Sequence, residues 1–152
     1  MKKLLLLAAA LAVIIQFIPA PPKTNPQSDP ARAFSAVMKP PAAVQNIFHR
    51  ACFDCHSNET IWPWYANIAP VSWPVRKHVE DGRKHINFSE WLKPGEPSFS
   101  NWSDLEAICK AVREKTMPLP YYDWLHPQAK LSAEDRQTVC QWVDAAITRQ
   151  SK

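Results

Sequence analysis

The sequence predicts an all-α protein, a small helical bundle whose helices are joined by long loops rich in proline and aromatic residues. Three segments, residues 42–51, 103–115 and 132–147, place apolar residues three and four positions apart, the spacing that gives a helix one apolar face. The chain has 15 Pro and 7 Trp but only 2 Gly, which favours fixed, extended loops over tight turns. Its 152 residues suffice for one domain and a leader, and a formal charge of +4 is too small to indicate nucleic-acid binding.

Residues 1–20 have the character of an export signal, because two lysines precede a leucine-rich apolar run. No small-residue cleavage site follows, and cleavage after Ala20 would leave Pro21 at the new terminus, so we expect residues 4–20 to remain as an uncleaved membrane anchor. The apolar length is near the lower limit of roughly 17 residues for a spanning helix, so a cleaved signal peptide and a soluble periplasmic protein are the alternative. The lysines would keep the start of the chain in the cytoplasm and place the rest on the periplasmic side of the inner membrane.

Residues 21–41 are predicted to form a proline-rich linker, and residues 42–150 the folded domain. Seven prolines lie between positions 19 and 41, with few large apolar residues among them. Such segments are extended and semi-rigid, so this one would hold the domain a short distance from the membrane. The alternative is that the part around Phe34, Val37 and Met38 wraps onto the domain.

The apolar face of the segment 42–51 continues into Cys52-Phe53-Asp54-Cys55-His56, so we expect one amphipathic helix to present this motif. The C-x-x-C-H arrangement is the one by which haem is attached covalently and held through its iron. Two thiols one helical turn apart reach the two vinyl groups of a porphyrin edge, and the adjacent imidazole reaches the iron. We therefore predict one covalent haem c per chain on Cys52 and Cys55, with His56 as an iron ligand. A redox-active C-x-x-C pair or half of a zinc site is the alternative.

The stretch from Ile61 to Pro74 contains three prolines and four aromatic residues, which predicts a loop that covers the haem. Pro74 is then suited to the first turn of a helix that carries His78 inward and ends at Gly82. His78 is either a hydrogen-bonded structural histidine, the simpler interpretation, or a ligand of the iron.

Met117 is predicted to be the second axial ligand of the iron. The helix over 103–115 cannot continue past Lys115, because prolines follow at 118 and 120. A thioether is soft and neutral and stabilises reduced iron, and a stiff loop limits reorganisation when the electron arrives. The alternatives are a gap-filling methionine at this position, and His126 as the sixth ligand.

A second pair of cysteines, Cys109 and Cys140, lies on two different predicted helices. Ser132 caps the second of these helices, with Asp135 at the third helical position. Because covalent haem attachment belongs to an oxidising compartment, we expect a disulfide between Cys109 and Cys140. Two buried free thiols are the alternative.

The order of these features resembles a monohaem cytochrome c of the class I type, with C-x-x-C-H near the front, Met-Pro in a late loop and a tryptophan in the final helix. A closer resemblance is to the small extracytoplasmic haem-binding domain family, which joins C-x-x-C-H to S-N-x-T-x-W-P-W-Y, A-P-x-S-W and N-F-S-x-W. Here these motifs occupy residues 52–56, 57–65, 69–73 and 87–91. The resemblance implies a cytochrome c-like bundle around one haem, with Cys52 and Cys55 as attachment points, His56 as proximal ligand and Met117 as distal ligand.

Together these features favour one-electron transfer between redox partner proteins of the bacterial cell envelope, rather than catalysis. A haem enzyme such as a peroxidase is one alternative, in which the sixth position is displaceable and His78 or His126 serves as acid or base. A redox or gas sensor with a displaceable sixth ligand is the other. The sequence offers no clear distal catalytic pair, so electron transfer is the first expectation.

Overall fold

A computed structural model describes residues 1–93, 95–96 and 102–150, and every regular element within them is helical, which confirms the predicted fold class. The α-helices are α1 (Lys2–Ile14), α2 (Phe34–Met38), α3 (Ala42–Ala51), α4 (Phe53–His56), α5 (Ser72–His85), α6 (Trp102–Arg113), α7 (Pro120–Leu125) and α8 (Ala133–Gln150). Short 3-10 turns interrupt the connections at Ile15–Phe17, Pro30–Arg32, Trp64–Asn67, Phe88–Glu90 and Pro127–Ala129.

The hydrophobic core lies where α8 packs against α6 and α3. The buried side chains of these helices come from the apolar faces that the sequence predicts: Val44, Ile47, Phe48, Leu105, Ile108, Val112, Val139, Trp142, Val143 and Ala146. The start of α8 is confirmed, because the backbone N–H of Asp135 donates to Oγ of Ser132 at 3.0 Å. The backbone N–H of Ser132 donates in return to Oδ2 of Asp135 at 2.8 Å, so the two residues form a capping box.

Phe34, on the short helix α2, lies in the centre of this core and is 1% exposed. Its ring stacks on Phe48 with centroids 4.7 Å apart and meets Trp91 and Trp142 edge-on at 5.0 and 5.6 Å. The core therefore includes part of the segment that the sequence assigns to a linker, as in the alternative of a wrapping segment. Phe34, Val37 and Met38 have helical spacing, but three apolar residues between prolines are too short a pattern to indicate how deeply Phe34 is buried.

Helices α6 and α8 are joined by a disulfide between Cys109 and Cys140, whose Cα atoms lie 4.9 Å apart. Both residues are buried. The bridge closes the segment that contains Met117 and α7, so it holds the two ends of that segment together.

Helix α1 is exposed along its whole length and consists almost entirely of apolar residues. Within the residues that the structure describes, no helix meets the length and hydropathy needed to cross a bilayer.

Candidate functional site

A cavity of about 610 Å³ is enclosed by the C-x-x-C-H segment, the loop that follows it, helix α5 and the segment 117–126. This volume lies within the range of roughly 300–1,000 Å³ found for small-molecule and cofactor sites. Most of the lining side chains are apolar, among them Ile61, Trp62, Pro63, Val71, Pro74, Val75, Val79, Pro118, Leu119, Trp124 and Leu125. The four residues predicted to hold haem all line this one cavity: Cys52, Cys55, His56 and Met117.

The motif lies on the short helix α4, which is separated from α3 by a break at Cys52 (φ −126°, ψ −38°). The expectation of one continuous helix through the motif is therefore wrong. Helix α3 buries Val44 and Phe48 in the core, and a continuous helix would place the thiols on that same face. The break lets Cys52 and Cys55 line the cavity instead.

The two cysteines of the motif are free thiols, and both are partly buried. Burial raises the pKa of Cys52 to about 12 and that of Cys55 to about 11, so both remain protonated at neutral pH. A redox-active C-x-x-C pair requires the opposite shift, because its reactive form is the thiolate. In the described part of the chain, no group of three or more His, Cys, Asp or Glu side chains is arranged to hold a metal ion.

His56 is oriented by a hydrogen bond to the backbone of the chain that leaves α5. Its Nδ1 lies 3.1 Å from the carbonyl oxygen of Ile86. Because a carbonyl oxygen only accepts, Nδ1 carries the proton and Nε2 keeps a free lone pair, as in histidines that bind metals. Burial lowers the pKa of His56, so the imidazole is neutral at pH 7.

Gly82 allows helix α5 to pass directly against the motif. A Cβ at this position would lie 2.5 Å from the carbonyl oxygen of Cys55, a distance that real Cβ atoms do not reach. The helix continues to His85, so the expectation that it ends at Gly82 is wrong. The glycine is needed for close packing, which brings the carbonyl of Ile86 within reach of His56.

Buried polar residues behind α4 join two of the motifs that carry the family resemblance. The backbone N–H of Asn58 donates to Oγ of Ser89 at 2.9 Å, and Nδ2 of Asn87 donates to Oδ1 of Asn58 at 2.9 Å. Between them, the ring of Phe88 stacks on Phe53 of the motif with centroids 5.3 Å apart. These contacts fix α4 from the side away from the cavity.

Met117 lies in the loop after α6, beyond a turn at Lys115 with a left-handed φ of 59°. Its backbone N–H donates to the carbonyl of Ala111 at 3.3 Å, which ties the loop to the end of α6. The side chain lines the cavity and is 38% exposed. The structure thus brings Met117 to the same cavity as His56, about sixty residues earlier in the chain.

The rival ligand His126 also lines the cavity, but both of its ring nitrogens are hydrogen-bonded. Nε2 lies 2.5 Å from the hydroxyl of Tyr65, and Nδ1 lies 3.3 Å from Nε2 of Gln128. His78 lines the cavity as well, with the hydroxyl of Tyr121 3.1 Å from its Nε2. Each of these histidines is therefore paired with a tyrosine.

Asp54, inside the motif, connects α4 to the walls of the cavity. Its Oδ2 accepts a hydrogen bond of 2.6 Å from the hydroxyl of Tyr122 in α7, and its Oδ1 accepts one of 2.9 Å from the backbone N–H of Ile61. Burial, and next the bond to Asp54, raise the pKa of Tyr122, which keeps the phenol protonated as the donor. The sequence gives no signal for this link, because the residues between the two cysteines vary freely in the motif.

Replacing Tyr122 by phenylalanine is expected to lower the free energy of unfolding by about 1.5 kcal/mol, since it removes a hydrogen bond to a carboxylate. Urea denaturation measures this change. Tyr121→Phe is the matched control, because Tyr121 is exposed and, among the residues that the structure describes, its hydroxyl bonds to His78 and to no carboxylate. Its effect should stay below about 0.5 kcal/mol. Equal losses in the two variants would show that the bond to Asp54 contributes nothing particular.

The model of the haem-binding domain family matches residues 10–145, which is most of the chain and includes every residue that lines the cavity. Comparison with curated proteins and with solved structures returned no match. The free Nε2 of His56, the two thiols and the apolar walls fit the group after which this family is described. The chain therefore belongs to the haem-binding domain family.

Proposed function

We propose that this protein carries one covalently attached c-type haem and transfers single electrons in the bacterial cell envelope. The observation that carries the proposal is the convergence of Cys52, Cys55, His56 and Met117 on one apolar cavity of about 610 Å³. When bound, haem supplies an iron centre that takes up and releases one electron.

Cys52 and Cys55 are the attachment points in this proposal. Burial raises their pKa values, so both are S–H groups, and each would add across one vinyl double bond of the haem. Sulfur would bond to one vinyl carbon and hydrogen to the other, so the attachment needs no oxidant. His56 presents its unprotonated Nε2 as the proximal ligand, held by the carbonyl of Ile86.

Met117 is the distal ligand in this proposal, and the surroundings of His126 support that choice. A histidine whose two nitrogens both hold hydrogen bonds would have to give up one of them to bind iron. The thioether of Met117 needs no such exchange, and it favours the reduced iron. Most of the lining side chains are apolar, so few polar groups next to the iron would have to reorient during electron transfer.

Replacing Met117 by alanine is expected to remove the thioether-to-iron absorption band of the oxidised protein and to lower its reduction potential. Visible spectra of the oxidised and reduced protein and a potentiometric titration measure both changes. Met38→Ala is the matched control, because Met38 packs against the core and does not line the cavity.

The two ligand candidates are separated by the corresponding variant of His126. His126→Ala should retain the thioether band, whereas loss of that band in His126→Ala, or an unchanged spectrum in Met117→Ala, contradicts the assignment. Acid extraction of the haem tests the attachment, since a thioether-bound haem stays with the protein.

The proposed location is the periplasmic side of the inner membrane, with residues 4–20 as a retained anchor and redox proteins of the envelope as partners. Helix α1 supports this, because from Leu4 onward it is apolar on every face, and none of its residues is buried. The mass of the mature protein tests whether the anchor is retained.

A haem enzyme or a sensor is the second candidate, and one observation favours it. Met117 is 38% exposed, so a small molecule has access to the position that this side chain occupies. Binding of carbon monoxide to the reduced native protein, or rapid turnover of peroxide, would support this candidate over electron transfer alone.

A further inference from the structure

The end of the apolar N-terminal segment is hydrogen-bonded to the domain instead of hanging free. Nε2 of Gln16 donates to the carbonyl of Ala69 at 3.1 Å, and the backbone N–H of Ala69 donates to Oε1 of Gln16 at 3.0 Å. The side-chain amide of Gln16 thus pairs through its nitrogen and its oxygen with the backbone carbonyl and N–H of Ala69. It places Gln16 next to the loop that runs from the haem motif to α5.

Two arginines of α5 extend this docking along the next residues. Arg76 donates from Nη1 to the carbonyl of Pro21 at 3.2 Å, and Arg83 donates from Nη1 to the carbonyl of Thr24 at 2.7 Å. Hydrogen bonds thus recur along the segment that leaves the apolar helix. The orientation of that helix relative to the domain is therefore restricted.

The loop beside Gln16 exposes large apolar side chains that the cavity does not use. Trp64 is 74% exposed and Ile68 is 46% exposed, and neither lines the cavity. Phe17, which follows Gln16 directly, is 82% exposed. Ile68 directly precedes the residue that binds Gln16, so it lies beside the end of the N-terminal helix, and Trp64 is four residues earlier in the same loop.

The length of the N-terminal helix determines where that surface lies. Helix Lys2–Ile14 and the turn Ile15–Phe17 together contain 16 residues, which span about 24 Å at about 1.5 Å per residue. The hydrocarbon core of a bilayer is about 30 Å thick. A bilayer accommodates a short anchor by becoming thinner around it, or the residues that flank the anchor move toward the hydrocarbon core. In either case Gln16 and the loop bonded to it come to the membrane surface.

We propose that Trp64 and Ile68 insert into the interfacial layer of the membrane that holds residues 4–20, so that the domain lies directly on the lipid surface. Tryptophan is enriched in this layer, where its ring is apolar and its N–H reaches polar groups. Exposed Lys23, which donates to Oδ1 of Asn67, adds a positive charge beside the loop that suits anionic headgroups. The inference rests on the retained anchor of the proposed function. It gives the domain a fixed orientation on the membrane, where a flexible linker alone would let the domain rotate freely.

The test uses the full-length, haem-loaded protein in vesicles of phosphatidylcholine with phosphatidylglycerol. A nitroxide is attached to Trp64→Cys, to Ile68→Cys and, as the control, to Gln137→Cys on the exposed side of α8. Power saturation in the presence of oxygen and of a water-soluble nickel chelate measures the depth of each label, and the same sample under nitrogen is the reference that removes the contribution of the haem iron. Circular dichroism verifies that each labelled protein is folded.

We expect the oxygen-to-nickel accessibility ratio to be several-fold higher at positions 64 and 68 than at 137. Equal ratios at the three positions would overturn the inference, as would a mature protein that lacks residues 1–20. The visible spectrum of the same samples separates this inference from the proposed function. A normal haem spectrum with equal ratios rejects only the membrane contact, whereas an absent covalent haem rejects the proposed function.

Discussion

Replacing Phe34 by alanine is expected to lower the free energy of unfolding by about 3–5 kcal/mol, the range for removing a buried aromatic ring from a core. The ring is 1% exposed and touches Phe48, Trp91 and Trp142, so its removal leaves a cavity among rigid neighbours. Pairs of aromatic rings also contribute about 0.5–1.5 kcal/mol each beyond the area that they bury. Urea denaturation of the haem-loaded protein measures the loss.

The control for this substitution is Phe17→Ala, the same change at a ring that is 82% exposed, measured in detergent. Its effect on unfolding should stay below about 0.5 kcal/mol. A loss of only about 1 kcal/mol for Phe34→Ala would mean that α2 is not part of the cooperative unit. The variant therefore tests whether the folded unit begins before residue 42.

What the sequence predicts well in this protein depends on neighbours along the chain. Ser132 and Asp135 form the expected capping box because a helix start needs side-chain acceptors within three residues. The core faces of α6 and α8 follow from periodicity alone. The spacing of Cys52, Cys55 and His56 predicts that they act together, and all three line one cavity.

What the sequence does not predict depends on contacts between distant segments. The carbonyl of Ile86 orients His56, yet a carbonyl belongs to every residue and carries no sequence signal. The burial of Phe34 depends on three other segments. The break at Cys52 lets α3 face the core while the cysteines line the cavity. The sequence predicts a helix end at Gly82 because glycine is common there, whereas the packing role of Gly82 depends on α4, which is distant along the chain.

The loop that carries Met117 is constrained at two independent points. The disulfide between Cys109 and Cys140 holds the ends of the segment, and the bond from Tyr122 to Asp54 ties its middle to the haem motif. The hydrogen bond joins two segments that line the cavity, and the disulfide joins the two helices at the ends of the Met117 segment. In the proposed function, a thioether ligand held in this way would keep its position when the charge of the iron changes, as electron transfer requires.

Replacing Gly82 by alanine is expected to lower the free energy of unfolding by about 2 kcal/mol and to reduce the amount of haem that the protein holds. At an exposed helix position, alanine would be more stable than glycine by about 1 kcal/mol. At this packed position, overpacking destabilises by up to about 3 kcal/mol, which outweighs that gain. The upper value applies because the new Cβ meets the backbone of Cys55, which cannot rotate away as a side chain would.

The effect on haem follows from the position of α5. When this helix moves away from α4, the carbonyl of Ile86 leaves Nδ1 of His56, and the imidazole loses the bond that fixes its orientation. Gly95→Ala is the matched control, because a Cβ there meets nothing within 4 Å and only the backbone at φ 87° resists it. Gly95→Ala should lower the free energy of unfolding by about 1–2 kcal/mol, because alanine is strained at this φ, and it should leave the haem content unchanged. The ratio of haem absorbance to protein absorbance measures the haem content of both variants. A Gly82→Ala protein with full haem content and undiminished stability would show that α5 does not position His56.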